Sequence, residues 1–215
     1  MKFEDIRRKV IETGLKMLNM KLVVGTWGNI SARIPGEDLI AITPSGVDYE
    51  RISPNDIVLL DMKGKVIDGH LKPSIEWPLH VAVYNNRYDV NAVVHTHSTF
   101  CTAMAMARKR IPAAVEDLVQ IVGGDVRVSE YFLPGTKELG QAAVKALEGR
   151  NAVILANHGC LGAGPDLNET FKIVCVVEKA AKATIFAQIL GGAVELEEDD
   201  IDFMRDFYLN KYGQR

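Results

Sequence analysis

The sequence predicts an α/β protein, and three observations carry that reading. Residues 4–22 place apolar side chains at the spacing of an amphipathic helix. Two apolar runs, 91–97 and 151–156, have the length and branched residues of buried strands, and each leads into histidine. Only short turns join the segments, with no linker, internal repeat or low-complexity tract, so residues 1–215 read as one domain. With 47% apolar residues, a chain of 215 can bury a full core.

The elements follow in order. Ile6, Val10, Ile11, Leu15, Met17, Leu18 and Leu22 define the buried face of the first helix. Residues 23–33 form a turn into a strand, in which Gly25, Gly28 and Asn29 permit positive backbone angles and close approach of a ligand to main-chain N–H groups. Leu39–Ile42 is a short strand ending in Thr43-Pro44-Ser45-Gly46, a second loop of hydroxyls and a glycine N–H. Two such loops suggest an anion pocket of neutral donors, enough for a phosphate without a lysine-rich patch. Residues 57–61 and 66–69, about Lys63-Gly64-Lys65, read as a β-hairpin.

Lys72-Pro73-Ser74-Ile75-Glu76 then opens a helix to about Tyr84, with Ser74 as N-cap and Glu76 in the first turn, where the helix dipole favours a carboxylate. A helix over 98–108 follows the first histidine strand. Glu116 and Asp117 stand in an apolar run before the Gly123-Gly124 turn. A helix over 136–147 is flanked by Gly135 and Gly149. The strand at 151–156 ends in Asn157-His158-Gly159. A helix over 168–190, an acidic turn at 195–200 and a short helix ending in Lys211-Tyr212-Gly213 complete the chain.

Composition excludes several functions. A net charge of -3 offers no broad basic face for nucleic acid. Cys101, Cys160 and Cys175 form no close C-x-x-C pair, which suits buried thiols in a reducing compartment. The first residues show no apolar signal core, and residues 173–190 are broken by Glu178, Lys179 and Lys182, too charged to span a bilayer. A soluble, cytoplasmic protein without a membrane partner is expected.

The histidines carry the chemistry. Side chains alternate along a strand, so His95 and His97 share a face and can share a metal ion. His158, at the mouth of the second strand, can supply a third imidazole. Glu76 can be the carboxylate, as a ligand or as the base that substrate frees from the metal. His70 and His80 stand alone and read as structural or surface residues. Imidazole with carboxylate accommodates Zn2+ or Mn2+. Such an ion polarises a carbonyl and stabilises an ene-diolate. No H-E-x-x-H pattern supports peptide hydrolysis. A metal beside neutral phosphate loops points to a small phosphorylated sugar.

Six motifs in this order resemble the class II aldolase/adducin family, and within it the fuculose-1-phosphate aldolase branch. They are G-T-W-G-N-I-S-A-R at 25–33, T-P-S-G at 43–46, P-S-I-E at 73–76, H-T-H at 95–97, G-T-K-E-L at 135–139 and N-H-G at 157–159. The resemblance implies a three-layer α/β/α fold around a mixed, mainly antiparallel sheet, and a homotetramer with sites between subunits. It implies metal ligation by Glu76, His95, His97 and His158, and phosphate binding by Gly28, Asn29, Ser45, Gly46, Ser74 and Ile75. Glu76 would move the proton at the carbon that becomes C3 of the ketose, and Tyr212 would act as a proton donor in a neighbouring subunit's site.

Two departures from that branch bear on function. A serine of the branch is Ile75 here, leaving only its main-chain N–H for phosphate. A tyrosine of the branch is replaced by Glu116-Asp117, near the acid/base residue of related dehydratases and epimerases, so Asp117 or Glu116 is a candidate for proton transfer. The implied activity is reversible cleavage of a ketose 1-phosphate to dihydroxyacetone phosphate and a short aldehyde. Trp27 and Ile75 favour a deoxy-sugar such as 5-deoxyribulose 1-phosphate. Methylthioribulose-1-phosphate dehydratase is the rival enzyme. A 4-epimerase is disfavoured because its substrates carry phosphate at the other end. A non-catalytic adducin-like binding module is disfavoured because the three histidines are present.

Overall fold

The computed structural model describes residues 2–214. In chain order its helices are α1 (Glu4–Asn19), α2 (Trp77–Asn86), α3 (Thr99–Ala107), α4 (Glu116–Val122), α5 (Lys137–Ala146), α6 (Leu167–Ile189) and α7 (Glu198–Asn210). The strands are β1 (Asn29–Arg33), β2 (Leu39–Ile42), β3 (Val58–Asp61), β4 (Val66–Asp68), β5 (Ala92–Thr96), β6 (Arg127–Val128), β7 (Ala152–Leu155) and β8 (Gly159–Gly164). They form one sheet of eight strands in the order β4-β3-β2-β1-β5-β8-β7-β6. Every pairing is antiparallel except β6 with β7.

Alternation along the strands builds two apolar faces. Ile40, Ile42, Val93, Val153, Leu155 and Leu161 pack with Leu79 and Val83 of α2 and Leu139 and Ala143 of α5. Ala41, Ala92 and Val94 pack on the opposite side with Val10 and Met17 of α1 and Val174 of α6. Ile154 and Cys160 extend that side toward Cys101 of α3, Leu118 of α4 and Val177 of α6. The result is the three-layer α/β/α architecture. His95 and His97 continue the row of Val93, at the end of a strand whose five residues are all buried.

Several boundaries differ from expectation for identifiable reasons. The first helix stops at Asn19, after which Lys21 adopts a left-handed conformation and Leu22 turns inward. The helix expected from Ser74 begins at Trp77, and Glu76 occupies its N-cap position rather than its first turn. Extended pairing overrides the cap: Ser74 N donates to Thr43 O at 3.0 Å, Ser45 N donates to Lys72 O at 2.9 Å, and Pro44 bridges Pro73. That zipper holds residues 72–74 extended and sets Ser74 beside the Thr43–Gly46 loop. Strands β6 and β8 and helix α4 were not expected. Strand β8 reads G-C-L-G-A-G, a poor strand sequence by propensity. Its glycines answer to packing: a Cβ on Gly162 would lie 2.7 Å from Val174 Cγ1, so α6 lies directly on the strand.

Candidate metal centre and its relatives

Four side chains from three parts of the chain converge at one end of the central strands. Ligand atoms of Glu76, His95, His97 and His158 all lie within 4.8 Å of one another. The imidazoles form a triangle, with ring centroids 4.7, 4.7 and 4.8 Å apart. His95 Nε2 lies 2.9 Å from His97 Nε2 and 3.3 Å from Glu76 Oε2. His158 Nε2 lies 3.5 Å from Glu76 Oε1. Ligands around one zinc ion, each about 2.0–2.2 Å away, stand at most about 4.4 Å from one another. Small side-chain adjustments bring all four within that limit.

The backbone explains the convergence. His95 pairs with Asn29 on one side and Leu161 on the other. Its Nδ1–H donates to Cys160 O at 2.9 Å, which turns Nε2 into the cluster. His97 N donates to Leu22 O at 3.2 Å, tying the strand exit to the loop after α1. His158 follows Asn157, which takes a left-handed conformation that Asn tolerates, and stands in the tight turn between β7 and β8. Glu76 is buried, and its main-chain N–H donates to Ser74 Oγ at 3.3 Å.

Close approach demands glycine at two points. A Cβ on Gly28, whose φ is +79°, would lie 2.8 Å from His95 O, and one on Gly159 would lie 2.2 Å from Thr96 O. Gly159→Ala forces β8 away from β5 and displaces His158. The expected cost is about 1–3 kcal/mol of stability with weakened zinc binding, measured by denaturant unfolding and chelator competition. Wild-type values for both would sink this account.

The electrostatics suit a cation. Burial would raise the Glu76 carboxyl, but the hydrogen bond and charge of His95, His158 and the Asn29 amide outweigh it and hold the group ionised. Burial opposes charge on His95, yet Glu76 and the Cys160 carbonyl raise its pKa. Burial, then His95, push His97 down to about 3 and His158 down to about 4. The pocket therefore attracts one positive charge while two imidazoles keep free lone pairs. Glu76 Oε1 has no hydrogen-bond partner although buried. These observations fit a divalent cation held by the four residues.

His80, His97 and His158 are depressed from an ordinary 6.5 to about 3, 3 and 4. Between those limits the unfolded chain binds protons that the folded one refuses, so stability falls as pH drops from about 6.5 toward 4. His95, raised, opposes this trend, but three groups outweigh one. Chelator-treated protein is expected to melt at lower temperature at pH 5 than at pH 7. Equal midpoints would refute the assignment of neutral buried imidazoles.

The profile of the Class II Aldolase and Adducin N-terminal domain matches residues 8–185. The chain belongs to the class II aldolase and adducin family. A 5-deoxy-D-ribulose 1-phosphate aldolase of Bacillus thuringiensis serovar kurstaki is 35% identical over 209 residues, covering 97% of each chain. A 5-methylthioribulose-1-phosphate/5-deoxyribulose-1-phosphate aldolase of Rhodospirillum rubrum is 39% identical over 177 residues, covering 82% of this chain and 79% of that one. Among solved structures, an L-fuculose 1-phosphate aldolase superposes with a TM-score of 0.94 at 40% identity, covering 97% of this chain and 98% of that one.

Within this class II aldolase fold, the candidate residues separate into groups. Glu76, His95, His97 and His158 stand together. Gly28 and Asn29 adjoin them, Gly28 against His95 O and Asn29 Nδ2 donating to Glu76 Oε2 at 2.8 Å. Ser74, buried, and Ile75, exposed, precede Glu76, while Ser45 and Gly46 lie exposed across the Pro44–Pro73 bridge. Gly135 packs on Ile75, where a Cβ would come within 2.9 Å of the carbonyl oxygen. Glu116, exposed, starts α4, and Asp117 beside it pairs with Lys179 of α6. Tyr212 follows α7 and stacks on Tyr208 at 5.4 Å. Neither Asp117 nor Tyr212 is among the four converging residues.

Of the structural and surface readings, His80 takes the structural one, for it is buried, but its contact with Asn29 was not foreseen. Its place four residues after Glu76 on α2 was the available signal. Trp27, which the sequence offered as an apolar pocket residue, has its ring 5.7 Å from that of His97.

Proposed function

We propose that the chain is a metal-dependent aldolase that reversibly cleaves a ketose 1-phosphate to dihydroxyacetone phosphate and a short aldehyde. The convergence of Glu76, His95, His97 and His158 carries this reading. The aldolase activities named for the relatives support it.

The four residues would hold one Zn2+ or Mn2+, which when bound would supply the positive charge that offsets negative charge developing as the C3–C4 bond breaks. Gly28, Asn29, Ser45, Gly46, Ser74 and the main-chain N–H of Ile75 bind the phosphate. Glu76 carries the proton at C3. Its buried Oε1, without a hydrogen bond, offers a lone pair for that proton. Tyr212 of a neighbouring subunit, or Asp117, handles the proton of the C4 hydroxyl. For Asp117 this requires release of Lys179. Trp27 and Ile75, both about two-thirds exposed, give the opening an apolar rim suited to a deoxy-sugar, with 5-deoxyribulose 1-phosphate the preferred substrate.

The enzyme works as a cytoplasmic homotetramer. Exposed Phe203, Phe207 and Leu209 on α7 are the kind of surface that subunit contacts cover. Among the described residues no helix is long and apolar enough to cross a membrane.

Product analysis across a panel of ketose 1-phosphates, with and without chelator, tests the proposal. Dihydroxyacetone phosphate should appear and vanish with chelator. Loss of water from the substrate without carbon–carbon cleavage would favour the methylthioribulose-1-phosphate dehydratase reading. A folded protein that binds no metal and turns over nothing would favour a binding module.

A further inference from the structure

We propose that His80 is a positioning residue for Glu76, acting through the Asn29 side chain. The inference rests on the reading of Glu76 as metal ligand and proton carrier.

His80 is completely buried on α2 and both ring nitrogens are engaged. Its Nε2 lies 2.5 Å from Asn29 Oδ1 and its Nδ1 lies 2.6 Å from Ser31 Oγ. Ser31 Oγ in turn lies 2.8 Å from the Tyr84 hydroxyl. At the other end, Asn29 Nδ2 donates to Glu76 Oε2 at 2.8 Å.

The chemistry of the end group fixes every donor along this chain. An ionised carboxylate only accepts, so Asn29 must present its NH2 to Glu76 and its oxygen to His80. That oxygen only accepts, so His80 carries its proton on Nε2. Nδ1 is then a lone pair that takes the Ser31 hydroxyl hydrogen, and Ser31 accepts from Tyr84. Four buried groups, Tyr84, Ser31, His80 and Asn29, thus point their donors one way, toward Glu76 Oε2. An amide cannot pass a proton along without losing its stable form, so the chain orients rather than conducts. It locks the Asn29 amide against a flip that would set oxygen against carboxylate. One Glu76 oxygen is thereby held, and the other is left turned toward His158. Histidine suits the task because it donates and accepts on opposite sides of a rigid ring, spanning β1 from Asn29 to Ser31.

The test compares His80→Leu, which fills the space without polar atoms, with His80→Gln, which restores a donor and an acceptor. Zinc affinity, read by chelator competition, and kcat should each fall about 10–100-fold in His80→Leu, with KM changed less than twofold and most of the loss recovered in His80→Gln. In an Asn29→Leu background, His80→Leu should cost little more. Wild-type zinc affinity and kcat in His80→Leu, or the same fold-loss in both backgrounds, would overturn the proposal. Nitrogen NMR of wild-type imidazoles decides it if a variant fails to fold: His80 must be the neutral Nε2–H tautomer, and an Nδ1–H tautomer breaks the chain. Zinc affinity and tautomer need no substrate. A wild-type protein that cleaves no ketose 1-phosphate would therefore end the activity reading while His80 is still judged.

Discussion

Alanine at position 95 is expected to abolish turnover, with kcat/KM falling on the order of 10³-fold or more and zinc binding lost together. His95 touches every other member of the cluster. It approaches His97 and Glu76 directly, and its ring packs edge-on against His158. It is also wholly buried and anchored to Cys160 O, so its loss leaves a cavity beside an ionised Glu76. Two imidazoles and an unsupported carboxylate do not replace that geometry. Steady-state product formation and zinc titration of His95→Ala check the result. Full activity in that variant would remove the basis for a shared cation.

Glu76→Gln is expected to lower kcat about 10²–10⁴-fold while the protein stays folded. The substitution preserves size and allows the new amide oxygen to accept from Asn29, as Oε2 does now. What disappears is negative charge and an atom able to take a proton. The new NH2 would face His158 Nε2, where Glu76 Oε1 now lies 3.5 Å away, so zinc binding weakens as well. Incubation of dihydroxyacetone phosphate in heavy water separates the two losses. The wild-type enzyme should exchange one C3 hydrogen for deuterium, and Glu76→Gln saturated with zinc should not. Exchange at the wild-type rate would assign the proton to another group.

Much of the fold and site was legible in the residues. Val93-Val94-His95-Thr96-His97 reads as a strand carrying two imidazoles on one face because side-chain alternation is a local property. His158 announced itself the same way, at the end of a second apolar strand. The start of α2 was not legible. Ser74 satisfies a local capping rule, but its N–H is committed to Thr43 O, a partner 31 positions earlier (74 − 43) that no local rule can weigh. Strand β8 escaped because glycine is a poor strand former, and only the helix lying on it explains Gly162 and Gly164. His80 escaped for a related reason: a single histidine on an apolar helix face has no pattern that tells a core filler from the partner of an asparagine 51 positions away.

The strand order has a consequence for biogenesis. Strand β5 lies between β1 and β8, partners distant from it in sequence on both sides. Loop closure of that kind is slow and all-or-none compared with hairpin formation. Nascent or proteolytically clipped molecules lacking β8 would possess His95 and His97 yet have neither the Cys160 carbonyl that aims one ring nor His158 opposite. Ion uptake should consequently report completion of the whole sheet, and a divalent metal ion should act as a checkpoint that selects finished molecules over partial ones.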